Sequence, residues 1–426
     1  MPDPDAAEAE RRAPLTTITA PAAPPKSADD TARPQLRTVL AALCVTEITS
    51  WGILYYAFPV LAPAIKDDTG WSAPATAAAF SAALVVAAIG GIPLGRLLDR
   101  HGPRTAMTAG SVLASAAVVG VALAPNLPCF AAAWLLAGVA MSAVLYQPAF
   151  AALTRWYGPR HLAALTTVTL VAGLASTVFA PLTDFLAGHL SWRGVYLVLA
   201  AVLAVVTIPL HAFALRRPWP PAPAPTRHEH ASADTRSVIR SRPFILLVAA
   251  LTTASFAMFA VLINLVPLLT ERGATSTTAA WALGLGGAGQ VAGRLGYAAL
   301  VRSTTVRTRT FTVLAALAAT TIALTLIPGP VWLLVTVAVL AGTARGIATL
   351  VQATAVTERW GPSMYGTLSG ILAAPVTAAG AIAPFAGAAL AGPLGGYPHM
   401  FAALAAVAAL GALLALGSIP RHDRAP

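Results

Sequence analysis

The chain contains twelve apolar runs, each long enough to cross a lipid bilayer as a helix. The hydrocarbon core is about 30 Å thick and a helix rises about 1.5 Å per residue, so a span needs about 20 mostly apolar residues. Only 10% of the 426 residues are charged, far below the share in soluble domains. The sequence therefore predicts an all-α integral membrane protein with twelve transmembrane helices, at residues 38–64, 74–95, 104–124, 129–154, 162–188, 192–215, 243–270, 277–300, 308–327, 329–356, 364–391 and 395–417.

A polar segment divides the twelve runs into two groups of six. Residues 216–242 are rich in proline and arginine and contain no apolar run, and the residues before the first run also lack an apolar core. Neither composition supports a packed domain. We expect a disordered cytoplasmic tail at 1–36, a six-helix bundle at 37–215, a cytoplasmic linker at 216–242, a second six-helix bundle at 243–417 and a cytoplasmic tail at 418–426.

The basic residues indicate the orientation of the chain. Most of the 27 Lys and Arg residues fall in the tails, the linker and the loops on the same side, whereas Lys66, Arg193 and Arg272 fall on the other side. Because basic loops stay in the cytoplasm, this bias predicts cytoplasmic termini in a plasma membrane. The net charge of +11 does not indicate nucleic-acid binding, because the basic residues lie at span ends and form no single patch.

The two groups of spans resemble each other in sequence. Residues 135–159 align with residues 339–362 at a nearly constant offset, which places Gly138 on Gly342 and Arg155 on Arg359. Duplicated bundles that enclose a site near the middle of the membrane are typical of secondary transporters. We therefore expect two bundles related by pseudo-twofold symmetry.

The loop between the second and third spans carries a recognisable motif, GRLLDRHGPR at 95–104. It resembles the signature of the major facilitator superfamily. The resemblance implies that the glycine lets two helices approach closely, and that the aspartate engages a helix end and an arginine at the foot of the fourth span. Those conformational roles would fall to Gly95, Asp99, Arg100, Gly102, Arg104 and Arg155.

Further motifs resemble the monocarboxylate and oxalate/formate branch of that superfamily. YYAFPV at 55–60 is similar to the first span of these carriers, and Arg294 stands where they have a substrate-binding arginine. Val60 replaces their first-span lysine, so any proton-linked role of that lysine must be absent here or performed by another residue. Signals of drug antiporters are missing, since Trp134 replaces their fourth-span arginine and Ala180-Pro181 replaces their Gly-Pro pair.

Few ionisable groups fall inside the predicted spans, and each needs an explanation because burial in a bilayer costs free energy. Arg294 is a candidate for pairing with a substrate carboxylate, the alternative being a structural pair with Glu47 or a helix-end carbonyl. Arg345 is a candidate for a substrate or coupling role, the alternative being structural pairing. Glu47 is the candidate for proton coupling, with a permanent bridge to an arginine as the alternative.

Neutral polar residues could complete the site. Tyr55 shares a helix face with Glu47, Asn264 aligns with Val60 in the repeat, and Gln147 interrupts the apolar fourth span. We predict Arg294, Arg345, Asn264, Tyr55 and Gln147 as substrate-binding residues. Neither a metal site nor a nucleotide-binding motif of the GxxxxGK[ST] type appears, so we expect no cofactor, nucleotide or metal.

The sequence favours a secondary transporter, not an enzyme, whose partners are the lipid bilayer, a small anionic substrate and, as a hypothesis, protons. A monocarboxylate is the expected substrate. An efflux transporter for a drug or self-made metabolite is the alternative, and a non-transporting membrane sensor is a more distant one.

Overall fold

The computed structural model describes residues 28–158, 161–219, 232–361 and 365–420. By its contacts the chain divides into Met1–Arg37 and a second unit, Thr38–Pro426, which holds every candidate site residue. The long helices, numbered here in chain order, are α1 (Ala28–Trp51, Gly52–Tyr56 and Ala57–Thr69), α2 (Ala73–His101), α3 (Pro103–Leu123), α4 (Leu127–Val144 and Tyr146–Tyr157), α5 (His161–Gly173 and Ala175–Ala187), α6 (Trp192–Pro209), α7 (Arg242–Glu271), α8 (Ser276–Ser303), α9 (Val306–Leu326), α10 (Val331–Thr354), α11 (Tyr365–Ala391) and α12 (Tyr397–Ala415).

These helices confirm the predicted all-α membrane fold, and each of the twelve apolar runs overlaps one of them. Among the described residues, 11 helices are long and apolar enough to cross a membrane. The helix outside that set is α8, whose glycines, Gln290 and Arg294 lower its mean hydropathy. Its 28 residues nevertheless span about 42 Å at 1.5 Å per residue, enough to cross a bilayer.

Three helices are interrupted, namely α1, α4 and α5, the last of them at Leu174. The break in α4 falls at Leu145, three residues before Pro148, which has no N–H to continue the helical hydrogen bonding. In α1, residues Gly52–Tyr56 form a π-turn, closed by the N–H of Ala57 donating to the carbonyl of Gly52. Such turns are frequent at functional sites. The Phe179 ring of α5 occupies the space where a Cβ on Gly52 would lie.

Glycines let α8 and α10 pack with their backbones close together. A Cβ at Gly342 would collide with the carbonyl oxygen of Gly286, one at Gly346 with that of Gln290, and one at Gly289 with that of Val339. The Gly-x-x-x-Gly spacing of Gly342 and Gly346 places both on one face of α10, as in close helix pairs within membranes.

The same device recurs in the first half of the chain. Gly138 of α4 faces the backbone of Ala83 in α2, and a Cβ at Gly138 would collide with that carbonyl oxygen. Gly138 and Gly342 are the two positions that the internal sequence repeat aligns. The repeat is therefore expressed in three dimensions as an equivalent helix contact.

Replacing Gly289 by valine should destabilise the protein, because the new side chain would force α8 away from Val339 of α10. Overpacking of this kind costs typically about 1–3 kcal/mol. We expect a lower melting temperature for the purified protein in detergent, measured by loss of the monodisperse peak after heating.

The matched control is Gly296→Val on the same helix, where a Cβ would meet no atom of the described residues within 4 Å. Equal melting temperatures for the two valine variants would contradict the proposed role of the glycine contact.

Candidate functional site

The site begins with one face of α1. Glu47, Trp51 and Tyr55 follow one another at intervals of one helical turn, and the π-turn presents Tyr55 and Tyr56 together to the interior. Glu47 is 0% exposed and Tyr55 is 3% exposed. These polar side chains therefore lie inside the helical packing and away from any surface.

Glu47 is buried without a hydrogen-bond partner. Neither carboxylate oxygen has one among the described residues, although Trp51, one turn later, is close enough to interact. The ion pairs among the described side chains join Arg193 to Asp68 and Arg309 to Glu358, so none of them includes Glu47. A permanent bridge from Glu47 to an arginine is not present in this conformation.

Arg345 enters the same region from α10 and is 7% exposed. Its Nε donates to Oε1 of Gln290 on α8 at 3.1 Å, while its Nη2 is buried with no partner among the described residues. Gln290 is itself 7% exposed. The guanidinium thus has a neutral partner on one side and an unused donor on the other.

Arg294 lies one turn after Gln290 on α8 and is half-buried. Its Nη1 donates to the carbonyl oxygen of Thr169 in α5, and Gly173 leaves room beside it, since a Cβ there would lie 3.3 Å from Nη1. Its Nε is buried without a partner among the described residues. Of the alternatives for Arg294, contact with a helix carbonyl is present in this conformation, and the Glu47 pair is not.

Tyrosines connect these groups into one cluster. Tyr146 is close enough to interact with Arg294, with Glu47 and with Tyr56. Tyr55 and Tyr56 both lie within electrostatic range of Arg345. We call Glu47, Tyr55, Tyr56, Tyr146, Gln290, Arg294 and Arg345 the central cluster.

Two predicted binding residues, Asn264 and Gln147, contact other parts of the structure. Asn264 of α7 is 3% exposed, donates to the carbonyl of Ala260 at 2.9 Å and packs on Gly387 of α11. It lines a cavity of about 380 Å³ between α1, α2, α7 and α11. The cavity lies near the end of α1 that includes Lys66 and the end of α7 that includes Glu271. Gln147 is exposed and its amide packs against Gly91 of α2.

Sequence reasoning missed Tyr56 and Gln290. Gln290 could have been found from its place one turn before Arg294, which puts both on one face of α8. Its bond to Arg345 depends on the close approach of α8 and α10. Tyr56 is brought inward by the π-turn, which a regular helical periodicity does not predict.

The loop motif is built around the first residues of the linker. Gly102 has φ +77° and lies against Trp219, whose ring also receives the guanidinium of Arg155 at 4.7 Å. Trp156 donates to the carbonyl of Pro218 at 3.1 Å. The start of the linker therefore covers both the motif and the foot of α4.

The other motif residues differ in their surroundings. Arg104 donates to the carbonyl of Ala212 at 2.9 Å, and Arg100 is exposed. A Cβ at Gly95 would meet nothing within 4 Å in the described part of the chain, so this conformation shows no close helix approach there. The side chain of Asp99 lies outside the described residues, and its expected contact with Arg155 stays a prediction.

Arg359 is the equivalent of Arg155 in the second half, and it makes different contacts. Arg359 donates to the carbonyl of Ser418 at 3.0 Å and to Oγ1 of Thr310 at 2.9 Å. Burial lowers the pKa of Arg359 to about 10, so it stays cationic at neutral pH. Arg309 pairs with Glu358 at 2.7 Å in the same network. In each half, residues at the cytoplasmic end of the fourth helix thus bind the segment that follows the sixth helix.

Comparison with known proteins decides the family. Residues 43–374 match the sequence profile of the Major Facilitator Superfamily. The chain belongs to this superfamily. The match covers most of the chain, including the loop motif and the central cluster, and it indicates a transporter and not an enzyme.

The chain is also similar to curated monocarboxylate transporters of this superfamily. It is 30% identical to monocarboxylate transporter 13 of Bos taurus over 210 residues, which cover 48% of this chain and 47% of that protein. It is 29% identical to monocarboxylate transporter 11 of Homo sapiens over 266 residues, covering 60% and 54%. The matched stretches therefore span about half the length of these relatives. These matches confirm the resemblance to monocarboxylate transporters inferred from the first span and Arg294.

Solved structures share the fold. A bacterial homologue of the human lysosomal transporter Spinster, inward-facing and occupied, superimposes with a TM-score of 0.66 at 18% identity, covering 90% of this chain and 94% of that chain. The nucleoside transporter NupG, in a mutant form, gives 0.67 at 13% identity, covering 91% and 100%. At such identities the likeness establishes the twelve-helix fold alone.

Replacing Gln290 by leucine should destabilise the protein, because the Nε of the buried Arg345 would lose its acceptor. An unsatisfied buried group costs about 1–3 kcal/mol, and more when it is charged. We expect a clear fall in melting temperature in detergent.

Gln290→Glu serves as the matched comparison, because it keeps an acceptor at the same position. It should restore the melting temperature. A leucine variant as stable as the parent would show that Arg345 finds another partner.

Proposed function

We propose that this chain carries a small organic monoanion across the plasma membrane by alternating access, with both termini in the cytoplasm. The observation that carries the proposal is the pair of arginines in the central cluster. Arg294 and Arg345 lie on adjacent helices, and each keeps a buried N–H without a partner among the described residues. A carboxylate can accept several such bonds at once.

The charge balance of the cluster supports an anionic substrate. Two guanidinium groups are accompanied by one carboxylate, Glu47, which pairs with neither of them in this conformation. Burying a cation without compensation costs several kcal/mol. A bound anion would supply that compensation, which favours the monocarboxylate class of the relatives over neutral or cationic solutes.

The packing between the halves supports alternating access. Just after the break in α5, Thr177 donates to the carbonyl of Gly284 in α8 at 2.8 Å. The N–H of Phe385 in α11 donates to Ser81 of α2 at 3.0 Å. The segment Ala175–Ala187 packs more extensively on α8 than His161–Gly173 does. With cytoplasmic termini, these contacts join the two halves toward the outside, where the cavity lined by Asn264 also lies between them.

Glu47 would couple transport to protons because an arginine would pair alternately with ionised Glu47 and with the substrate. When an anion occupies the arginines, Glu47 is protonated and needs no cation; when the anion leaves, ionised Glu47 pairs with an arginine in its stead. The unpaired, fully buried Glu47 of this conformation fits the protonated form, because an isolated buried carboxylate is costly. Tyr146 lies within electrostatic range of both Glu47 and Arg294 and would help to guide this exchange.

Arg294→Gln should abolish most uptake of labelled pyruvate into proteoliposomes, because the variant loses a charge-assisted hydrogen bond to the anion. Such bonds contribute about 1.5–3 kcal/mol, so uptake should fall roughly tenfold to hundredfold. Arg345→Gln should have a similar effect.

The control is Arg193→Gln, which removes a cation near Asp68, at the far end of α6 from the linker. Full pyruvate uptake by the folded Arg294→Gln protein would refute the anion site.

Glu47→Gln should separate exchange from net transport. The amide mimics protonated Glu47, so labelled pyruvate should still exchange with unlabelled pyruvate across the membrane. The empty carrier would lack its internal anion, however, and accumulation driven by an imposed pH gradient should be lost.

The matched control is Asp67→Asn, an exposed carboxylate near the end of the same helix. If Glu47→Gln still accumulated pyruvate in response to the pH gradient, another group would have to carry the proton.

A further inference from the structure

A row of aromatic side chains lies beside the arginines of the central cluster. The ring centroid of Trp51 lies 5.0 Å from that of Tyr146 and 5.4 Å from that of Tyr55. Tyr146 is in turn stacked on Phe150, with centroids 5.0 Å apart and an interplanar angle of 21°. On the other side of Tyr55, Phe259 of α7 lies 6.5 Å away. We call Trp51, Tyr55, Tyr146, Phe150 and Phe259 the aromatic row.

Four members of the aromatic row are more exposed than the aromatic core of the first half, which Tyr55 joins by packing on Phe80 at 5.4 Å. Phe58, Phe80 and Trp134 pack on one another and are at most 2% exposed, as expected for side chains that only fill space. Trp51, Tyr146, Phe150 and Phe259 keep part of their surface free. Tyr146 contacts Trp51 of α1 and also approaches Arg294 of α8, so this part of the row lies where the two halves meet.

The row also carries unused hydrogen-bonding capacity. The hydroxyl of Tyr55 is buried with no partner among the described residues, and Arg345, which lies within electrostatic range of it, has an unused Nη2. Buried tyrosine hydroxyls usually find a partner. The Tyr55 hydroxyl and one N–H donor of each arginine therefore have no partner among the described residues. They lie in one region with the rings of the aromatic row.

Such a region matches a ligand with two chemically different ends. The guanidinium groups favour an anion such as a carboxylate, whereas partly exposed rings gain from contact with another ring in offset or edge-to-face arrangements. A carboxylate on two or three aliphatic carbons would satisfy the arginines but would leave the row uncovered.

Building on the proposed function, we infer that the preferred substrate is an aryl carboxylate. Its carboxylate pairs with Arg294 and Arg345, and its ring packs against Trp51 and Tyr146. The linking chain is short, because Tyr146 lies close to Arg294.

The test compares two labelled acids that differ by one ring, pyruvate and phenylpyruvate, in proteoliposomes that contain the full chain. Each aromatic contact contributes roughly a two- to tenfold gain in affinity. We expect uptake of phenylpyruvate to saturate at a concentration at least about tenfold lower than uptake of pyruvate. The corresponding neutral amide of phenylpyruvate should not compete, because it lacks the anionic group.

Variants of the row then assign the preference to these residues. Trp51→Leu should reduce the ratio of phenylpyruvate to pyruvate uptake several-fold, and Trp51→Phe should retain most of it. Phe185→Leu, which removes a ring that is 64% exposed on α5, is the control and should leave the ratio unchanged.

The outcomes separate this inference from the proposed function. Equal affinities for the two acids, or a ratio that Trp51→Leu does not alter, would overturn the aryl preference and leave the anion carrier intact. Transport of neither acid by the purified, folded protein would refute the carrier of organic monoanions and the aryl preference together.

Discussion

Burial of two guanidinium groups between helices is the constraint on which the rest of this structure depends. Removing an ion from water costs several kcal/mol even after the protein relaxes. Gln290 and the carbonyl of Thr169 each accept one hydrogen bond from these groups, but both acceptors are neutral. Compensation by dipoles alone is incomplete, and a buried Nη2 of Arg345 and Nε of Arg294 remain without partners among the described residues. That deficit is what an anionic substrate would remove.

The backbone arrangement follows from the need to hold these charges in place. Gly346 follows Arg345 directly and faces the carbonyl of Gln290, so the lack of a Cβ brings the amide of Gln290 within reach of Arg345. Two irregularities act on the other half: Pro148 breaks α4 so that Tyr146 begins a new segment, and the π-turn in α1 directs Tyr55 and Tyr56 to the interior. The features that are unfavourable for regular helices therefore surround the cluster.

The sequence was informative wherever one strong physical term dominates. The thickness of the bilayer sets the length of each span, so the helices could be predicted, including α8 despite its low hydropathy. The rarity of charges in apolar runs pointed to Arg294, Arg345 and Glu47, and the structure brings all three into the central cluster with Tyr55. Asn264 and Gln147 were harder, because a neutral amide in a span gives no sign of which neighbour it meets; Asn264 lines a separate cavity and Gln147 lies on Gly91. Tyr56 and Gln290 depend on a π-turn and a close helix contact, which are properties of tertiary packing.

A count of charges shows how the proposed coupling could work within this packing. When Glu47 is ionised and no substrate is bound, Glu47, Arg294 and Arg345 together carry one net positive charge. When Glu47 is protonated and a monoanion is bound, the net charge is the same. These empty and fully loaded forms must both change between inward-facing and outward-facing conformations. The net charge that the surrounding helices enclose would be the same in both. The incompletely loaded forms would carry either two uncompensated charges or none, and the one with two would resist occlusion because of its desolvation cost. The cost of burying charge would thus block the form that carries a proton without its anion. The form that carries the anion without a proton has no net charge, and this cost would not block it.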